Sequence, residues 1–327
     1  MAHRITYVEA VIEALAQCMR EDPDIFLMGQ DIGPFGGTMQ STAGLWEEFG
    51  YERVMDTPIS EGGTAGMAVG AAIMGLKPVM EISFGEFLAS VMNEVVTQAP
   101  GVYYYTDGHS SCPVVFRTKI GDGPYRGHPQ CYEAWFTGIP GLKVVMPSHP
   151  DDCKGLMVAA IREPNPVLFV EDMYLYHAIR GEVQEDLYET PIGKARIVRE
   201  GKDATVIATG WYVHKSIAAA RQLAREGIEI EIVDPRTLAP LDIETILASV
   251  KKTGRAVTAH ESWKIGGFGA EIAAEIAEEG FGDLKAPIVR IGAPHTPIPI
   301  PKPLRDVFLP DVDDIVAAVK KVVSWRS

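Results

Sequence analysis

The sequence predicts an α/β protein of two domains, each built on a parallel or mixed sheet. Helix-type and strand-type segments alternate along the 327 residues, and the strand-type segments are short, nearly continuous apolar runs bounded by Gly or Pro. Such runs are typical of parallel strands that helices cover on both faces. The length also suits two domains, because a single domain usually has about 100–200 residues.

The first half of the chain shows the alternation most clearly. Residues 8–19 carry apolar side chains at helical spacing and are followed by Pro23, so they predict a helix. Residues 25–28 form a short apolar run and predict a strand. The same pattern predicts four further strands, at 79–82, 114–117, 143–146 and 167–170.

A polar, acidic stretch separates the two halves. Residues 181–192 have no clear period, and we interpret them as a linker. The first domain is then residues 1–180 and the second is residues 193–327. In the second domain we predict strands at 204–208, 229–233, 256–258 and 288–291, and helices at 213–225, 241–250, 270–277 and 315–323.

Composition excludes several classes of protein. The net charge is −14, from 30 Lys and Arg against 44 Asp and Glu, and no basic face stands out, so we expect no nucleic-acid partner. No apolar stretch reaches the roughly 18 residues of a membrane span, and no secretory signal is visible. No two of the four cysteines have the Cys-x-x-Cys spacing of a zinc site or redox dithiol. We therefore expect a cytoplasmic protein.

One predicted helix, at residues 60–72, consists almost wholly of small residues. Gly62, Gly66 and Gly70 fall on one face, and each glycine weakens a helix by roughly 1 kcal/mol relative to alanine. Either tight packing inside the domain or close approach of another subunit or ligand would offset this loss. Glu61 lies in the first turn, where a favourable interaction with the helix dipole and a catalytic role both fit its position.

The common catalytic motifs are absent. The sequence has no P-loop, no dinucleotide-binding Gly-x-Gly-x-x-Gly after a strand, no His-Glu-x-x-His and no Gly-x-Ser-x-Gly. Gly-Asp-Gly at 121–123 resembles the start of the motif that holds Mg²⁺ and the pyrophosphate of thiamine diphosphate. That motif continues with Asn-Asn, but the only asparagines are Asn93 and Asn165. We therefore predict a simple turn at 121–123.

Several longer strings carry a family resemblance, and they occur in the same order as in that family. They are Asp-Thr-Pro-Ile-Ser-Glu at 56–61, Gly-Leu-Lys-Val-Val at 141–145, Val-Asp-Pro-Arg-Thr-Leu-Ala-Pro-Leu-Asp at 233–242 and Gly-Gly-Phe-Gly-Ala-Glu at 266–271. The chain resembles the beta subunit of 2-oxo acid dehydrogenases. This is the thiamine-diphosphate-dependent decarboxylating component of pyruvate, branched-chain 2-oxo acid and acetoin dehydrogenase complexes.

The resemblance implies a transketolase-like pyrimidine-binding domain followed by a transketolase C-terminal-like domain. It also implies an α2β2 heterotetramer in which a separate alpha subunit holds Mg²⁺ and the diphosphate. The reaction would be oxidative decarboxylation of a small 2-oxo acid, or acetoin cleavage, with the acyl group passing to a lipoyl acyltransferase component. The missing Asn-Asn half of the pyrophosphate motif fits that division of the cofactor site.

The same resemblance assigns cofactor-binding residues. Glu61 matches the glutamate whose carboxyl group bonds to the aminopyrimidine ring and favours its imino tautomer, which then deprotonates the thiazolium carbon. Phe87 matches an aromatic side chain that packs on the pyrimidine, and Ile59 would lie at the same wall. Gln30 stands where relatives usually carry an acid, and we include it among the cofactor-binding positions.

A second catalytic residue is implied at His128. The string Gly-His-Pro-Gln-Cys-Tyr-Glu-Ala-Trp-Phe at 127–136 keeps a histidine that in relatives lies near the substrate carboxylate or the lipoyl group. A histidine suits proton transfer at neutral pH. Pro129 replaces the usual serine and stiffens the loop. At a second departure, His295 stands where relatives usually have an aspartate.

A monovalent cation, K⁺, is implied by some relatives, which hold it mainly through backbone carbonyls. The matching positions here are Val114, Ala160, Ile161, Glu163 and Asn165.

The sequence is also compatible with two other functions. The changed loop at Pro129 allows a non-oxidative thiamine-dependent lyase or carboligase subunit. Because half of the cofactor site is missing from this chain, a non-catalytic assembly subunit is also possible.

Overall fold

The computed structural model describes residues 1–121 and 127–326, in which strands and helices alternate. The strands are β1 (Ala2–Thr6), β2 (Ile25–Gly29), β3 (Val54–Asp56), β4 (Lys77–Ile82), β5 (Val115–Ile120), β6 (Lys143–Val145), β7 (Val167–Asp172), β8 (Arg180–Gln184), β9 (Arg196–Arg199), β10 (Ala204–Ala208), β11 (Ile230–Asp234), β12 (Thr237–Ala239), β13 (Ala256–Trp263) and β14 (Val289–Ala293). The α-helices are α1 (Tyr7–Glu21), α2 (Leu45–Phe49), α3 (Glu61–Ile73), α4 (Ala99–Tyr105), α5 (Pro150–Arg162), α6 (Leu175–Ala178), α7 (Trp211–Ala224), α8 (Ile243–Thr253), α9 (Phe268–Glu279), α10 (Lys302–Phe308) and α11 (Val312–Val323). Short 3₁₀ helices lie at Thr38–Gln40, Gly85–Val91, Glu133–Trp135 and Phe281–Asp283, and a π-helix at Asn93–Gln98.

Two larger sheets and one two-stranded ribbon organise these elements. The first sheet has the strand order β12-β6-β7-β5-β4-β2-β3, and all its pairs are parallel except β12 with β6. The second sheet has the order β14-β13-β10-β11-β9, with only β9 antiparallel. The predicted fold class, two α/β domains with parallel or mixed sheets, is confirmed.

Apolar side chains cover the first sheet on both faces. Along each strand, successive residues point to opposite faces. Leu27 and Val115 face the layer that contains α1 and α5, whereas Met28 and Phe116 face the layer that contains α3. This double burial explains why the strands read as unbroken apolar runs.

The second half of the chain contributes a strand to the first sheet, which the sequence did not predict. Strand β12 belongs to the second half but pairs with β6 at the edge of the first sheet, with Thr237 opposite Val145. The residues interpreted as a linker, 181–192, are not irregular at their start. There, β8 forms an antiparallel ribbon with β1. Most of the side chains of β8 are exposed, so the strand lacks the apolar pattern that would have identified it.

The sequence pattern also missed α5, which is one of the longer helices. Residues 152–161 are all buried, so α5 has no polar face and no amphipathic period. Its buried Lys154 is neutralised by Glu13 of α1, with the ammonium 2.6 Å from a carboxylate oxygen. A helix of this kind gives no periodic signal.

A partly buried histidine in α7 makes the stability of the fold depend on pH. The ring of His214 stacks on Trp211, and Nε2 donates a hydrogen bond to the carbonyl of Ser148, 2.8 Å away. Burial lowers the pKa of His214 to about 4. The unfolded chain, in which a histidine has a pKa near ~6.5, binds this proton first as the pH falls. The contribution of His214 to stability is therefore present above about pH 6.5 and is lost as the pH falls towards 4.

We expect the His214→Gln variant to show a flatter dependence of unfolding free energy on pH. Glutamine can still donate to the Ser148 carbonyl but does not titrate. The difference in slope between the two proteins should approach about 1.4 kcal/mol per pH unit at pH 4.5–6. Urea unfolding at several pH values measures it, and equal slopes for both proteins would contradict the assignment.

Candidate active site

Four of the residues predicted for the site lie at one edge of the first sheet. Strands β5, β4, β2 and β3 are consecutive neighbours and run parallel, so their carboxyl ends meet at this edge. Gln30 follows β2, Glu61 follows β3, Phe87 follows β4 and His128 follows β5. In open α/β sheets, ligands bind outside the carboxyl ends of the strands. The fold therefore brings these four residues to the place where a ligand is expected.

Glu61 is the first residue of α3 and is half-buried. The side-chain amide of Gln30 donates a hydrogen bond to Oε1 of Glu61 over 3.0 Å. An ideal Cβ on Gly62 would lie 3.2 Å from the carbonyl oxygen of Ser90, so this glycine lets α3 approach the 3₁₀ helix that carries Phe87. The amide and the helix N-terminus together hold the carboxylate in place.

The outer face of α3 is exposed and apolar. Ile59, just before the helix, is 84% exposed. Met67 and Met74 are also exposed and lie two turns apart, with Met74 directly after the last residue of α3. An added Cβ on Gly66 or Gly70 would meet no atom within 4 Å. Packing inside the domain therefore does not explain these two glycines. Because they have no side chain, another subunit or a ligand could approach the backbone of α3 closely at these positions.

His128 lies against two aromatic rings. Its ring centroid is 4.7 Å from that of Phe84 and 5.0 Å from that of Phe87. Nδ1 donates a hydrogen bond to Oε2 of Glu86 over 3.0 Å. The predicted catalytic histidine and the predicted stacking phenylalanine are thus in direct contact.

The loop that carries His128 is attached to the second half of the chain. The side-chain amide of Gln130 donates to the carbonyl of Ile298 over 3.4 Å and accepts from its N–H over 3.3 Å. Nearby, the indole of Trp263 donates to the carbonyl of Thr296 over 2.7 Å. His295 is an exposed residue of the segment that follows β14 and contains Thr296 and Ile298. Nothing in the structure explains the histidine there.

The predicted cation positions lie at the opposite, amino-terminal edge of the first sheet. They are Val114, Ala160, Ile161, Glu163 and Asn165. Ala160 and Ile161 belong to the last turn of α5, where carbonyls lack intrahelical partners and the helix dipole is negative. The carboxylate of Glu163 is already paired with Lys143, 2.5 Å away. Backbone carbonyls, rather than this carboxylate, are the groups suited to a cation here.

A buried charge network lies in the strands beside the site, and the sequence analysis missed it. Arg117 of β5 forms a bidentate salt bridge with Glu171 of β7, with N···O distances of 2.7 and 2.9 Å. Its guanidinium also lies 3.1 Å from a carboxylate oxygen of Glu81 of β4. Lys119 contacts Glu81 at 2.6 Å. Burial alone would raise the pKa of Glu81, but Lys119 and Arg117 outweigh it and hold this pKa below the usual range.

The network also supports the site. The hydroxyl of Ser41 donates a hydrogen bond shared by both carboxylate oxygens of Glu81, at 3.1 and 3.0 Å. This bond restrains the loop that follows Gln30, because Ser41 belongs to that loop. An ideal Cβ on Gly29 would lie 2.8 Å from the Glu81 carbonyl oxygen, so β2 and β4 are in close contact just before Gln30. Charged residues inside two predicted apolar strands were the signal that could have revealed this network.

Glu86 was missed as well. It immediately precedes Phe87 in the string Phe-Gly-Glu-Phe at 84–87, which follows β4. A carboxylate between two aromatic side chains just after a strand was the signal that could have indicated a role for Glu86 in the site.

Residues 122 and 123 of the Gly-Asp-Gly string lie outside the described residues. Across residues 1–121 and 127–326, no group of three or more His, Cys, Asp and Glu side chains is arranged to hold a metal ion. The four cysteines are free and buried. None of the helices within the described part of the chain is long and apolar enough to cross a membrane.

Comparisons with known proteins cover nearly the whole chain. Residues 3–177 match the family model described as the pyrimidine binding domain of transketolase, and residues 193–315 match that of the transketolase C-terminal domain. The 2-oxoisovalerate dehydrogenase subunit beta of Bacillus subtilis is 41% identical over 98% of this chain and 99% of its own length. The pyruvate dehydrogenase E1 component subunit beta of the same organism is 40% identical over the same shares.

Two further relatives extend this comparison. The beta subunit of the acetoin:2,6-dichlorophenolindophenol oxidoreductase of Bacillus subtilis is 41% identical over 99% of this chain and 98% of its own length. A solved structure described as a split-gene transketolase, an inactive beta4 tetramer, is similar with a TM-score of 0.81 and 25% identity, and the match covers 99% of both chains.

Proposed function

The chain belongs to the transketolase-like beta subunits of 2-oxo acid dehydrogenase E1 components, and from this premise we propose that it forms the pyrimidine half of a thiamine diphosphate site. In an α2β2 complex with an alpha subunit, it catalyses oxidative decarboxylation of a small 2-oxo acid, or the corresponding cleavage of acetoin. The observation that carries this proposal is the meeting of Gln30, Glu61, Phe87 and His128 at one sheet edge.

The residues at this edge fit one end of the cofactor. Thiamine diphosphate supplies, when bound, a carbon nucleophile and an electron sink that side chains lack. The carboxyl group of Glu61 can share a proton with a ring nitrogen of an aminopyrimidine, and Gln30 fixes its direction. Phe87 offers a ring face for stacking, and Ile59 offers an apolar wall. His128 lies beside Phe87, where it can hold or deliver a proton to a bound substrate.

The alpha subunit is proposed to hold the other end of the cofactor. The diphosphate and its Mg²⁺ need hard oxygen ligands, which this chain would leave to its partner. The exposed apolar side chains of Ile59, Met67 and Met74 lie along α3, whose first residue is Glu61, and such a surface is suited to subunit contact. A partner seated there would close the cofactor site and exclude water from the carboxyl group.

Three further features belong to this proposal. We assign K⁺ to the backbone carbonyls near the end of α5, at Val114, Ala160, Ile161, Glu163 and Asn165. The acyl group would pass to a lipoyl acyltransferase component, as in the family's complexes. Four free, buried cysteines suit a reducing compartment, which supports the cytoplasm as the site of action.

Reconstitution with an alpha subunit of the same family tests the function. We expect reduction of 2,6-dichlorophenolindophenol that depends on a 2-oxo acid or acetoin and requires both chains, thiamine diphosphate and Mg²⁺. A correctly assembled complex that is inactive with pyruvate, the branched-chain 2-oxo acids and acetoin would contradict the proposal. Acylation of an added lipoyl domain distinguishes the oxidative reaction from a lyase or carboligase reaction, in which that acylation would not occur.

A further inference from the structure

The carboxylate of Glu86 joins two parts of the loop that carries His128. Oε2 accepts a hydrogen bond from Nδ1 of His128 over 3.0 Å, and Oε1 accepts one from the backbone N–H of Gln130 over 3.2 Å. Glu86 itself lies on the 3₁₀ helix Gly85–Val91, directly after β4 and one residue before Phe87. A single side chain from the sheet edge therefore bridges the ring and the backbone of the neighbouring loop.

This bridge determines which ring nitrogen carries the proton in neutral His128. An ionised carboxylate can only accept, so Nδ1 must be the donor and Nε2 is the nitrogen that can take up a proton. The rings of Phe84 and Phe87 pack against the imidazole and limit its rotation. The side chain of Glu86 is 24% exposed and that of His128 is 30% exposed, so water screens the pair only in part.

The loop is also held from its other side. The amide of Gln130 exchanges two hydrogen bonds with the backbone of Ile298, in the second half of the chain. Pro129, between the histidine and the glutamine, has a fixed φ and is buried. The bridge formed by Glu86 and the two hydrogen bonds between Gln130 and Ile298 together restrict movement of the His128 ring relative to the sheet edge.

We propose that Glu86 is a positioning residue that fixes the tautomer and the orientation of His128 for proton transfer at the thiamine site. This inference rests on the proposed function for its catalytic consequence. The tautomer itself is a property of the chain alone and can be measured without turnover.

The first experiment measures the tautomer. The purified full chain is labelled with ¹⁵N-histidine, and the His128 signals are assigned by their absence in the His128→Gln variant. We expect the Nδ1–H tautomer in the wild-type protein and a mixture of both tautomers in Glu86→Ala. Glu94→Ala, which removes a half-buried carboxylate from the π-helix Asn93–Gln98, should leave the His128 signals unchanged. The proposal is overturned if the wild-type ring is the Nε2–H tautomer or if Glu86→Ala keeps the Nδ1–H tautomer.

The second experiment measures the catalytic consequence in the complex with the alpha subunit. We expect kcat to fall about 10–100-fold in Glu86→Ala and to recover in part in Glu86→Asp, because aspartate keeps a carboxylate acceptor. The thiamine diphosphate concentration for half-maximal activity should change less than about twofold, since neither variant alters the pyrimidine contacts. Wild-type kcat in Glu86→Ala, together with the tautomer change, would remove the positioning role.

The two proposals fail in different ways. If Glu61→Gln abolishes activity but the His128 tautomer is insensitive to Glu86, the function stands and the positioning role is wrong. If the tautomer responds to Glu86 but Glu61→Gln is fully active, the contact stands and the thiamine function is wrong.

Discussion

The Glu61→Gln variant, assembled with an alpha subunit, is expected to lose about 10²–10⁴-fold in kcat. Glutamine has nearly the same shape and can keep a hydrogen bond to Gln30, but it cannot give or take the proton that a carboxyl group shares with the pyrimidine ring. The variant therefore removes the proton transfer and leaves the packing at the start of α3 in place. The 2-oxo acid-dependent reduction of a dye measures the loss.

The control for this variant is Glu52→Gln, which removes an exposed carboxylate from the same domain. It should keep wild-type kcat. Sedimentation of both variants with the alpha subunit shows whether the α2β2 complex still forms. Full activity of Glu61→Gln in an intact complex would favour the view that this chain is a non-catalytic assembly subunit.

The largest expected loss of stability follows from breaking the buried charge network. Arg117 is 1% exposed and Glu171 is fully buried, so Arg117→Met leaves the carboxylates of Glu171 and Glu81 without their shared cation. Removing one partner of a buried ion pair typically costs about 3–5 kcal/mol. We expect a loss of this size in the free energy of unfolding by urea. The loop after Gln30 should also loosen, because Ser41 is bonded to Glu81.

An exposed ion pair of similar geometry supplies the control. Arg20 makes two bonds to Glu48, at 2.5 and 2.7 Å, but both side chains are more than one-third exposed. Arg20→Met should therefore lower the free energy of unfolding by no more than about 1 kcal/mol. Equal losses for the two arginine variants would show that burial does not set the value of the network.

Local patterns predicted most elements of the fold, because the sheets are parallel and doubly covered. The apolar runs at 25–28 and 79–82 are strands in the structure, and the amphipathic segments at 8–19 and 315–323 are helices. Two of the missed elements have a physical reason. Helix α5 is buried on every side and shows no period, whereas β8 is a mostly exposed ribbon strand without an apolar run.

The candidate site could be predicted only in part. Family strings pointed to Glu61, Phe87 and His128, and the order of the strands explains why they meet. The supporting residues could not be found in this way, because Glu86 reaches His128 across 42 positions and Arg117 reaches Glu171 across 54. Such contacts depend on the packing of the sheet, which a single sequence does not display.

The most direct test of the division of the cofactor site is calorimetric titration of thiamine diphosphate with Mg²⁺ into the chain alone, into the alpha subunit alone and into the assembled complex. If this chain contributes the pyrimidine half and its partner the diphosphate half, the complex binds the cofactor at least about 100-fold more tightly than either chain, a difference of about 2.7 kcal/mol. Tight, Mg²⁺-dependent binding of the whole cofactor by the chain alone would contradict this account.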